Sequence, residues 1–110
     1  MTVPQTPRSP VPTQVSEVAT ELERVVQRWR QLPLDRALSY SGRVRALVQS
    51  LAGEVAGATG ERASVVPDCG PATLMDQLTV MVYDMSAAAV ASTRTSTLVQ
   101  DLTSLRRELS

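Results

Sequence analysis

The fold is decided by residues 71–110, PATLMDQLTVMVYDMSAAAVASTRTSTLVQDLTSLRRELS. The stretch opens on Pro71, which suits the first helical position because that residue needs no backbone donor and its φ is already helical. Neither glycine nor proline follows in the remaining 39 residues. Leu74, Leu78, Met81, Met85, Ala88, Ser92, Thr95, Val99 and Leu102 alternate steps of four and three, close to a heptad seam. Leu98, Leu102, Leu105 and Leu109 add a second stripe at the end. Between them, Thr93 to Thr97 is poor in helix formers. Two readings fit: one helix of nearly forty residues, or a break near 92–96 and a short fourth helix. The break is preferred.

Upstream, the same periodicity recurs twice. A first helix is expected from Gln14 to Leu32, capped by the Thr13 hydroxyl, with Val15, Val18, Leu22, Val25 or Val26, and Trp29 on one face. Its acids Glu17, Glu21 and Glu23 precede its arginines Arg24, Arg28 and Arg30, the order that suits the helix dipole. Glu21 is also spaced for Arg24 and Arg28. Pro33 ends the run. A second helix is expected from Leu34 to Ala56, with Leu34, Leu38, Val44, Leu47 or Val48, Leu51 and Val55 as its stripe. Gly42 is its weak point, a place to kink or to start late, and Gly57 and Gly60 close it.

Residues 57–70 then connect the second helix to the third. Fully extended they span about 45 Å at about 3.3 Å per residue, enough either to cap one end of a bundle or to return along it. Pro4, Pro7, Pro10 and Pro12 exclude helix from residues 1–13, which read as a disordered, Pro-rich tail. The Pro7-Arg8-Ser9-Pro10 spacing is a bare PxxP pattern, and a plain solvated tail is the better account of it. The fold class that follows is all-α: a small up-and-down bundle of three to four helices, with residues 14–110 as one domain.

Composition narrows the functions. Hydrophobic residues make up 43% of the 110, a normal globular value. Eleven basic residues, all arginine, balance eleven acids, so the net charge is zero. That balance lacks the electrostatic footprint of a nucleic-acid binder. Arginine without lysine, amid abundant Ala and Val, reads as the coding bias of a high-GC bacterial genome. The absence of histidine removes the usual general base and the commonest metal ligand, so neither a metal nor a cofactor is expected. One cysteine cannot close an internal disulfide, and no run reaches the roughly 18 apolar residues of a membrane span. The expectation is a cytoplasmic protein without a membrane partner.

Cys69 precedes a helix start, but Asp68 opposes its thiolate, so a small buried or half-buried cysteine is expected. The Asp68-Cys69-Gly70-Pro71 segment reads as a structural stop and start signal, because Pro71 removes one of the amides an anion would use. Asp84 lies within Val80-Met81-Val82-Tyr83-Asp84-Met85, where the helix is apolar on most faces, so a buried carboxylate would need a partner. Residues 24–45 carry six arginines against Asp35, net +5, whereas residues 46–101 carry two arginines against six acids, net −4. Attraction between the halves points to Arg43 or Arg45 as that partner. The arginine stripe itself, with only Trp29 and Tyr40 near it, reads as a solvated face. Trp29-Arg30-Gln31 lacks the Trp-x-Gly turn of the secreted helical-hairpin proteins, and no resemblance to that family is drawn.

Two functional readings follow. The first is a non-enzymatic helical interaction or scaffold module, a homodimer through the third helix with room for another protein partner. Met75, Met81, Met85 and Trp29 are its expected contact residues, and Ala87, Ala88, Ala89 and Ala91 would allow close helix approach. The alternative is a small-anionic-ligand binder or minor enzyme with a polar pocket of Asp84, Tyr83, Arg43, Arg45 and Tyr40.

Overall fold

The computed structural model describes residues 12–62, 65–87 and 92–110, with the backbone alone at 12–15, 92 and 93. The chain forms four helices, α1 (Pro12–Gln31), α2 (Leu34–Thr59), α3 (Pro71–Ala87) and α4 (Ser92–Glu108), and no strand among the described residues. It is an all-α bundle. Most of the expected tail lies outside the described residues, but its last two, Pro12 and Thr13, are the first of α1. Pro12 therefore opens the helix, where its missing N–H costs nothing.

α1 buries Val18, Leu22, Val25 and Trp29 at steps of four, three and four, each no more than 8% exposed. It stops at Pro33, whose carbonyl then accepts from the Ala37 amide at 3.0 Å as α2 starts. α2 runs unbroken through Gly42 and on past Ala56 to Thr59. Its end is a Schellman closure: Gly60, at φ +74°, lets Glu61 donate to Ala56 O and Gly60 to Gly57 O. Gly57 is therefore inside the helix and Gly60 alone closes it.

The connection takes the course back along α2. The Val66 amide donates to Gln49 Oε1 at 2.8 Å, and Asp68 pairs with Arg45 at 3.3 Å. Gly70, at φ +88°, turns the chain into α3. α3 consequently starts level with the middle of α2 and runs in the same direction, so the order along the chain is up, down, down, up. α4 runs back against the direction of α2, with Arg94 near its start meeting Glu54 and Glu108 at its end meeting Arg43, and lies beside α1, where Arg106 meets Glu21. The closest neighbours are α1 with α4 and α2 with α3. Leu74, Met75, Leu78, Val82 and Met85 of α3 close the core with Leu98, Leu102, Leu105 and Leu109 around α4.

Three further sequence expectations change. Residues 71–110 are two helices, but the Thr-rich 93–97 stretch belongs to α4 instead of breaking the chain. Ser and Thr are poor in helix interiors and good near helix starts, which is where these residues lie. Leu34 and Leu38 are 69% and 54% exposed, while Ala37 is buried. The first turns of α2 overhang the bundle, because α4 ends beside Arg43 and α3 begins beside Arg45. The third change is Cys69, which is exposed because the connection runs over the surface.

Candidate functional site

The residues expected to form a polar pocket do not meet. Arg43 Nε pairs with Glu108 at 3.1 Å, and Arg45 with Asp68 at 3.3 Å. Arg36 reaches the Tyr40 hydroxyl at 3.4 Å and lies 5.9 Å from its ring centre. Asp84 is exposed, on the rim of a groove of about 500 Å³ between α2, the connection and α3. Val55, Ala56, Val66 and Met81 give the groove apolar walls, and Asp76 and Glu61 share its rim. The reason is geometric: Asp84 is one turn beyond Val80 on the outer side of α3, whereas Val82 and Met85 turn inward. Replacing Asp84 with alanine should therefore change unfolding free energy by less than about 0.5 kcal/mol in a urea melt. A loss of about 3 kcal/mol would mean a stranded buried charge instead.

The expected contact residues divide. Met75, Met85 and Trp29 are 6%, 2% and 8% exposed and belong to the core, so they offer nothing to a partner. Met81 is only partly buried, and Val80 and Tyr83 beside it are 51% and 65% exposed. On the other flank of Tyr83, between α1 and α3, lies a second groove of about 430 Å³. Val18, Leu22, Val26 and Val82 line its floor, and Glu23, Gln27 and Arg30 its α1 rim. α3 is thus a ridge between two grooves.

Two charged clusters join residues far apart in the sequence. Glu21 is only 9% exposed and accepts from Arg24 Nη1 at 3.0 Å and from Arg106 Nε at 2.9 Å. Burial works against its charged form, but the hydrogen bond and charge of Arg106, then those of Arg24, outweigh it and hold the carboxyl below the ordinary glutamate range. Arg94 grips Glu54 through two bonds of 2.8 and 2.7 Å and reaches Asp101 at 3.2 Å. The Glu54 bonds lead in holding its guanidinium protonated. Arg45 was expected as a partner of Asp84 and instead pairs with Asp68 in the connection. The Glu21–Arg24 spacing was visible in the sequence, but a partner 85 residues away was not.

Among the described residues no group of His, Cys, Asp and Glu could hold a metal ion, and no helix is long and apolar enough to cross a membrane. Comparison of the chain with protein-family models, with curated proteins and with solved structures gives no match.

Proposed function

We propose that the protein is a non-enzymatic helical interaction module that pairs with a second copy of itself through the outer side of α3. The observation that supports this reading is the exposed pair Val80 and Tyr83, with half-buried Met81 in the groove on the far side of Val80, set as a ridge between two grooves. Tyrosine and methionine are enriched at the centres of protein interfaces, and an apolar ridge with apolar-walled grooves beside it is self-complementary. The grooves extend the patch toward the roughly 800 Å² per partner that a stable interface needs.

Charge is compatible with a second copy as the occupant. One flank of the ridge carries Glu61, Asp76 and Asp84 against Arg62, net −2, and the α1 rim on the other flank carries Arg30 and Glu23. A two-fold axis along α3 exchanges the flanks and sets Arg30 of one copy over the acidic flank of the other. Replacing Tyr83 with glutamate tests the reading, because a side chain this exposed can be changed without disturbing the core and a new acid there would meet the partner's acidic flank. The variant should sediment as a monomer with the same helical content as the unaltered protein. A Tyr83→Glu protein that stays dimeric would place the contact elsewhere.

A further inference from the structure

We propose that the cleft between α1 and the end of α4 binds a small multivalent oxyanion, its phosphate or carboxylate oxygens held by Arg24, Arg28 and Arg106. The cleft has a volume of about 540 Å³, and all eight residues that line it are polar. Thr20, Arg24, Gln27 and Gln31 recur along α1 at helical spacing, as a polar stripe beside the helix's buried one.

Each guanidinium is fixed by one edge. Arg28 Nε donates to Leu109 O at 2.8 Å, tying α1 to the end of α4. Arg106 Nε and Arg24 Nη1 both donate to Glu21, at 2.9 and 3.0 Å. A guanidinium has five N–H donors, so the terminal nitrogens of Arg28 and Arg106 keep donors for a ligand. Their planar fork matches carboxylate and phosphate oxygens in pairs. Fixing the side chains beforehand removes part of the ordering cost that binding normally carries.

The charges set the class of ligand. Three arginines face one acid beneath them, Glu21, and one in the lining, Glu23, which leaves a local surplus of one positive charge. A ligand with two or more anionic oxygens gains from several guanidinium edges together. Gln27 and Gln31 add neutral hydrogen-bonding groups on the α1 side. A nucleic-acid backbone fits less well, because the site is a bounded cleft on a chain of zero net charge.

The test is calorimetric titration of the full chain with pyrophosphate and, separately, with citrate at about 50 mM salt, where screening is modest. At least one anion should saturate the protein, and the stronger arm says whether phosphate or carboxylate is preferred. Arg28→Gln should weaken binding about tenfold or more, the usual effect of losing a charged hydrogen bond, while Arg62→Gln, outside the cleft, should not. Arg24→Gln is the second variant, since its half-exposed side chain can be changed with Arg106 still on Glu21. Binding that is unaltered in both cleft variants, or no saturation below about 10 mM, would overturn the proposal. So would duplex DNA binding more tightly than either anion.

Discussion

Replacing Leu105 with alanine is expected to destabilise the protein by about 2–5 kcal/mol, while the same change at Leu34 costs less than about 0.5 kcal/mol. The two leucines have the same chemistry and comparable places in their sequence stripes. Leu105 is 0% exposed, in a layer with Leu102 and Leu109 that closes the α1–α4 side of the core. Truncation there removes buried methyl groups and leaves a cavity that helices on either side cannot fully close. Leu34 is 69% exposed, beyond the ends of its neighbours, so alanine there changes little that water does not already reach. A domain of this size has roughly 5–15 kcal/mol of total stability, so the Leu105 variant should lose much of its urea midpoint. Both variants need comparison at one protein concentration, because the proposed self-association would contribute to apparent stability. Equal losses at the two positions would contradict the overhang of α2.

The second large effect is expected at Arg106. Arg106→Gln should cost about 1–3 kcal/mol at neutral pH, the scale of losing a charged hydrogen bond to a covered carboxylate. The loss falls short of a fully stranded charge because Arg24 still holds the other oxygen of Glu21. Acid gives this prediction a sign. The folded-state pKa of Glu21 lies below the ordinary 4.5, so the unfolded chain binds more protons near that pH than the folded one. The stability from this carboxylate is therefore present above about pH 4.5 and is lost as pH falls through the lower folded value. The gap between the two proteins should be flat from neutral pH down to about 5 and should close on further acidification. Arg107→Gln, at an exposed neighbouring position, should show no such closing gap. A difference at Arg106 that is the same at pH 3 and pH 7 would mean that the side chain acts by packing alone.

The stripes were legible wherever both neighbours extend past them. Leu98, Leu102, Leu105 and Leu109, like Val18, Leu22, Val25 and Trp29, face the core at the positions their spacing demanded. Leu34 and Leu38 have the same spacing and are exposed, because periodicity defines a face of a helix and not how far the adjoining helices reach. Asp84 shows the related limit. Apolar neighbours in sequence put it in a buried setting, but Val80 one turn away is itself on the open side of α3. The direction of α3 was open because the connection is long enough for either course. Gln49 with Val66 and Arg45 with Asp68 mark the course it takes. The arginine cleft was illegible for the same reason: Arg28 and Arg106 meet only once α4 has come back beside α1.

Self-association through α3 is the central claim, and sedimentation equilibrium of the unaltered chain tests it most directly. At micromolar concentration the fitted mass should be about twice the chain's 11.9 kDa, falling toward one chain on dilution. A mass of 11.9 kDa at every concentration would contradict it.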